Sequence, residues 1–185
     1  MTGIKPGRSE RVMKNKMFLT AVVIVCFFAA FPAAAFHRPA NDPVSGRKLE
    51  IVATIFPLYD MARALGGNRA DVTLLLPPGV EAHSFEPKPG DIARINEADI
   101  FIYTGKFMEP WAEDILRSVT NKNLLAVDAG RGAKMLESGS SGRGGAVGAP
   151  DPHIWLDFEN AKVMAGNISG ALEAKDPPGR DLYRR

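Results

Sequence analysis

From Leu49 onward, short apolar runs alternate with segments whose apolar residues recur at helical spacing. Leu49 to Phe56 is rich in Ile, Val and Thr and predicts a buried strand. Pro57 followed by LYDMARAL, with Gly66-Gly67 behind it, predicts a helix with proline near its start and glycine at its end. The pattern repeats: Asp71 to Leu76 reads as a second strand, Pro89 to Glu97 as a short helix, and Asp99 to Thr104 as a third strand. Glu109 to Val119 then reads as a helix and Leu124 to Val127 as a fourth strand. Further on, Ala161, Met164, Ala165, Ile168 and Leu172 recur at intervals of three and four, predicting an amphipathic helix over 158–175 that Pro177-Pro178 cannot continue. Strands alternating with helices predict an α/β fold, a parallel four-stranded sheet with flanking helices. In such sheets ligands collect at the carboxyl ends of strands, and the loop after Leu76 is one such place.

Outside this pattern lie three segments of different character. Lys5, Arg8, Arg11, Lys14 and Lys16 precede the apolar run Met17 to Phe31, and Ala33-Ala34-Ala35 supplies an A-x-A cleavage site, so residues 1–35 read as a secretory signal peptide. A membrane anchor is the competing reading of the same run, and Pro32 with the small residues after it favours cleavage. Either way, the remainder is expected outside the cytoplasm. Residues 36–48 are polar and Pro-containing, as suits a tether, and residues 137–150 (ESGSSGRGGAVGAP) read as a flexible surface loop. These glycines make no phosphate loop, because no Lys-Ser or Lys-Thr follows them.

Charge removes one class of function. The chain carries 23 basic and 21 acidic residues, and the first 35 hold five and one of these, so the remainder has 18 and 20, a net of −2. The positive total therefore belongs to the export signal, and nucleic-acid binding gains no support from it. Hydrophobic residues at 45% of the chain are enough for a core. The only cysteine, Cys26, lies inside the apolar run, so an exported form has neither disulfide nor thiolate, and any metal must be held by nitrogen and oxygen.

Two of the three histidines then stand out. His37 lies in the tether, where a solvated side chain is the expectation. His83 lies in PPGVEAHSFEPKPG and His153 in DPHIWLDF, both connections stiffened by proline. A borderline-soft dication takes imidazole nitrogen at roughly 2.0–2.1 Å from ligands fixed in advance, which rigid loops supply. Glu81, Glu86, Asp151 and Asp157 are available to complete the shell or, as for Glu86 and Asp157 in particular, to orient the imidazoles from behind. The two imidazoles favour zinc over manganese, and added carboxylates shift that balance toward manganese or iron. Spacing alone does not bring the pair together: seventy residues separate them, with none of the short-range arithmetic of H-E-x-x-H.

The blocks IVATIFPLYDMARALGG, LLLPPGVEAHSFEPKPGDIARINEADIFIYTG, EPWAEDIL and DPHIWLDFENAKVMAGNI resemble the zinc/manganese solute-binding proteins of bacterial ABC importers. The resemblance runs from about Leu49 to Tyr183, and its two histidine-containing blocks are specific together. It implies two α/β lobes joined by one long helix, with the metal in the cleft between them. By this likeness 49–157 is the amino-terminal lobe, His83 and His153 are its two metal ligands, 158–175 is the linker helix, and 176–185 begins a carboxy-terminal lobe that is truncated here. The family's other two ligands come from that second lobe. Many zinc-specific members carry a His- and acid-rich loop ahead of the second histidine, where this chain has its Gly/Ser stretch, and Phe158 stands where a proline often follows Trp-Leu-Asp.

The expected function is accordingly capture of a divalent metal ion and its delivery to a cognate membrane ABC permease, with no chemistry on a substrate. Two other readings use the same residues. In a secreted zinc-dependent hydrolase, His83 and His153 would join a carboxylate and activate water, with Glu86 as general base. In a metal-free lobe the chain would serve only interaction or adhesion. Trp111, Trp155, Tyr59 and Tyr103 read as packing residues, and Asp99 and Asp128 as turn or cap residues.

Overall fold

The structure, a computed structural model, describes residues 46–135 and 150–185. The expected signal peptide, residues 36–45 of the expected tether, residues 137–149 of the Gly/Ser stretch, Cys26 and His37 lie outside the described residues.

Four strands form one parallel sheet: β1 (Leu49–Ala53), β2 (Ala70–Leu74), β3 (Ile100–Tyr103) and β4 (Leu125–Asp128), in the order β2-β1-β3-β4. The inner strands are near-continuous apolar runs, as a sheet covered on both faces requires. Ile51, Val52, Ala53, Ile100, Phe101 and Ile102 are all buried. On the edge strand β2, half-buried residues alternate with exposed ones. Around the sheet lie α1 (Phe56–Gly66), α2 (Pro89–Glu97), α3 (Ala112–Ser118), α4 (Phe158–Lys175) and α5 (Arg180–Tyr183). Among the described residues no helix is long and apolar enough to cross a membrane.

The predicted elements are present, most with bounds within two residues of expectation, and two boundaries are displaced by three for identifiable reasons. The first strand ends at Ala53, short of Phe56, because Pro57 seeds α1 from Phe56 onward. The helix expected from Glu109 begins only at Ala112: residues 106–108 form a turn, and the Glu109 side chain points inward to bind the ends of strands.

Helix α4 buries Met164, Ile168, Ala171 and Leu172 along one face, which packs on α1 and β4. Its amino end is capped by Asp157, whose carboxylate accepts the Asn160 amide at 2.9 Å. Beyond α4, residues 176–185 turn back over α1 and α4, and Tyr183 is 1% exposed. Arg69 grips the Asp176 carboxylate with two donors, Nε at 2.6 Å and Nη2 at 2.8 Å, and the Tyr183 hydroxyl donates to the same carboxylate. The hydrogen bond from Arg69 holds the Asp176 carboxyl below the usual range. Gly179 sits inside this cluster, where a Cβ would come within 2.4 Å of Asp176 Oδ2.

Candidate metal site

The site stands at the carboxyl ends of the strands. His83 is carried by the connection between β2 and α2, and His153 by the segment that runs from β4 toward α4. These two connections leave opposite edges of the sheet, yet the rings meet: their centroids are 6.2 Å apart and their planes stand at 86°. Two imidazoles on one tetrahedral cation place their centroids roughly 5 Å apart, so a small movement of either loop would let both point at a shared ion. Both side chains are accessible, 41% for His83 and 49% for His153.

Each histidine is oriented differently. His153 sits against Asp151, whose Oδ1 accepts the His153 backbone N–H at 3.0 Å and lies 2.7 Å from the ring Nδ1. These two bonds hold the Asp151 carboxyl below the usual range. With Nδ1 engaged as donor, the lone pair of His153 falls on Nε2. The Trp155 ring lies edge-on to the imidazole, with centroids 5.4 Å apart. An open cavity of about 310 Å³ adjoins His153, lined by Lys134, Asp151, Ile154, Leu156, Asp157 and Asn160. For His83, the backbone N–H donates weakly to Glu81 Oε1 at 3.3 Å, and the ring Nε2 is 3.9 Å from the same oxygen, beyond hydrogen-bond reach.

Of the carboxylates singled out from sequence, neither Glu86 nor Asp157 bonds to an imidazole. Glu86 is exposed in the His83 loop, and Asp157 caps α4 instead. The carboxylate that orients His153 is Asp151, two residues before it, close enough to reach both its amide and its ring. Among the described residues no group of three or more His, Cys, Asp or Glu side chains is placed to hold a metal ion. The two imidazoles thus form a converging pair of nitrogen donors, with no third side chain of these types grouped with them among the described residues.

Sequence reasoning missed Glu109. Its side chain is fully buried where β1 and β3 end, at the point where strand order reverses between β1-β2 and β3-β4. Thr54 Oγ1 donates to its Oε1 at 2.5 Å and Thr104 Oγ1 at 3.2 Å, while the amides of Thr104 and Gly105 donate to its Oε2 at 3.0 and 3.2 Å. Burial pushes the carboxyl up to about 7 against the pull of these bonds. No sequence signal marks it, since an acidic residue before a helix is ordinarily a solvated cap. Trp111 packs, as expected, against Phe85 with ring centroids 5.1 Å apart, but its indole N–H also donates to the Ala82 carbonyl at 2.8 Å.

Comparison with known proteins gives a consistent result. A family model described as "Zinc-uptake complex component A periplasmic" (ZnuA) matches residues 51–185. The chain is 29% identical over 171 residues to the high-affinity zinc uptake system protein ZnuA of Bacillus subtilis, covering 89% of this chain and 54% of that protein. It is 31% identical over 170 residues to the manganese ABC transporter substrate-binding lipoprotein PsaA of Streptococcus pneumoniae, covering 88% of this chain and 53% of that one. Among solved structures, the metal-dependent lipoprotein YcdH of Bacillus subtilis superimposes with a TM-score of 0.65 at 33% identity, covering 74% of this chain and 48% of that chain. The chain therefore spans about half the length of the curated relatives it matches.

Proposed function

Since the chain belongs to the periplasmic zinc-uptake complex component A family, we propose that it captures a divalent metal ion outside the cytoplasm, through His83 and His153, for delivery to an ABC permease. One observation carries this reading: two imidazoles from loops seventy residues apart lie with centroids 6.2 Å apart at the carboxyl edge of a parallel sheet. That convergence has a ready use in gripping a cation. The cargo is a metal that accepts nitrogen ligands, and the imidazole pair favours zinc over manganese, although relatives of both descriptions exist. Residues 49–157 act as the ligand-bearing lobe and 158–175 as the linker helix that leaves it. Delivery to a permease needs a ligand set that can also release the ion.

The test is equilibrium titration with zinc and manganese of the wild-type chain, His83→Ala and His153→Ala. Each substitution is expected to weaken zinc binding at least about tenfold, since chelation by the pair is lost. Equal affinity in all three proteins would remove the two histidines from the site.

A further inference from the structure

His83 stands on a connection that has almost no hydrogen bonding of its own. Its amino end is tied to the sheet by Leu75 N–H to Ala53 O at 2.8 Å and Leu76 N–H to Thr54 O at 3.1 Å, and its carboxyl end by Lys88 N–H to Asp91 Oδ2 at 2.9 Å. Between these anchors the backbone makes one local turn, Val80 N–H to Pro77 O, and the weak bond from His83 N–H to Glu81. Among the described residues, a single hydrogen bond joins residues 77–87 to a distant part of the chain: Trp111 Nε1 donating to the Ala82 carbonyl, immediately before His83.

Trp111 is itself held from the sheet. Ala112 N–H bonds back to the Glu109 carbonyl at 3.1 Å, and the Glu109 carboxyl is fixed by four donors from the ends of β1 and β3. Phe85 also packs edge-on against the indole at 5.1 Å, so the loop is gripped on both flanks of His83, by a bond at Ala82 and a ring at Phe85. Ala82 is buried, whereas His83, Ser84 and Glu86 are exposed. The loop is therefore held at Ala82 and Phe85 while its histidine stays in solvent.

We propose that the Trp111 indole N–H is a positioning group for His83. It sets the height of the loop over the sheet, and thereby the separation of the His83 ring from His153, before any metal arrives. This rests on the reading of His83 and His153 as ligands. The energetic logic is that a chelating pair gains from being fixed in advance, whereas a single ligand does not. Loss of the N–H leaves a buried carbonyl unpaired and frees the loop, so it weakens chelation by the pair and spares monodentate binding by either ring.

The experiment compares zinc affinity of wild type, Trp111→Phe, His153→Ala and the double variant Trp111→Phe/His153→Ala, by titration followed on the imidazole Cε1–H proton resonances, which resolves millimolar binding. A chain carrying benzothienylalanine at position 111, which keeps the shape of the indole and lacks the donor, replaces Trp111→Phe if the latter fails to fold. Circular dichroism of each apo protein checks that it is folded at the titration temperature. The expected result is about a tenfold loss from removing the donor in the wild-type background, in line with the loss of an outer orienting partner, and no further loss in the His153→Ala background. A purely structural role for Trp111 would instead lower affinity equally in both backgrounds, and no loss in either would equally overturn the proposal. If His153→Ala leaves binding unchanged, the ligand reading itself fails and the positioning role falls with it.

Discussion

Replacing Glu109 by glutamine should make the protein more stable at neutral and alkaline pH and leave it nearly unchanged in mild acid. Glu109 is buried to 0% exposure and its carboxyl titrates near 7 rather than 4.5. Below about pH 4.5 both folded and unfolded chains hold the proton, so the group has no effect on the balance. Between 4.5 and 7 the unfolded chain ionises while the folded one stays neutral, and stability falls with rising pH. Above 7 the full loss is present. At about 1.4 kcal/mol per pH unit, this rise is worth about 3 kcal/mol. Glutamine cannot ionise and fits the same donors: its oxygen can accept the amides of Thr104 and Gly105, and its NH₂ can donate to the two threonine hydroxyls, which rotate freely. Urea denaturation of both proteins from pH 4.5 to 8.5 measures the difference directly, because every other group titrates alike in the two and cancels. The stability of Glu109→Gln relative to wild type should climb by about 3 kcal/mol across that range. A difference that stays flat would show that the carboxyl is ionised in the fold at all these pH values, with its four donors outweighing burial.

Three further outcomes follow from named contacts. Asp151→Asn removes the carboxylate on His153 Nδ1 and should weaken zinc binding about tenfold with little change in melting temperature, measured by calorimetric titration and thermal melts. Asp176→Ala leaves the Arg69 guanidinium, only 18% exposed, without its partner and should cost about 2–3 kcal/mol in urea denaturation. Because the Asp176 carboxyl is held below the usual range, its contribution is present at neutral pH and fades only as the pH falls below the ordinary carboxylate range, where wild type and variant should begin to converge. Gly130→Ala drives a Cβ to 2.3 Å from the Thr104 carbonyl oxygen and 2.7 Å from Ile154 Cδ1, and should destabilise by about 1–3 kcal/mol. Since Ile154 follows His153, the same variant should also weaken zinc binding in titration.

The sheet was legible because each inner strand is a short apolar run bounded by turn residues. Ile100 to Tyr103 and the helix Pro89–Glu97 were readable from composition alone. Helix 158–175 was equally plain, since Met164, Ile168 and Leu172 recur on one face and two prolines stop it. What periodicity does not carry is where a polar side chain turns. Glu109 looks like the first residue of a helix, and its burial depends on Thr54, which is 55 residues away. Trp111 looks like a core residue, and half of its role lies in a hydrogen bond to a backbone atom 29 residues away. The meeting of His83 and His153 is of the same kind: nothing in their local sequence encodes a 6.2 Å approach, and only likeness to a known pattern suggested it. Asp151 was among the carboxylates named from sequence, and its contact follows from its place, because a carboxylate two residues before a histidine can bond to that residue's own amide.

Strand order gives the histidine pair a mechanical meaning as well. The loops that carry the two rings spring from β2 and β4, the outermost strands, which three strand spacings of about 4.8 Å each hold about 14 Å apart. A cation held by both rings would act as a cross-tie between the loop leaving β2 and the segment that enters α4. Its occupancy would then be written into the amide exchange rates of those two segments.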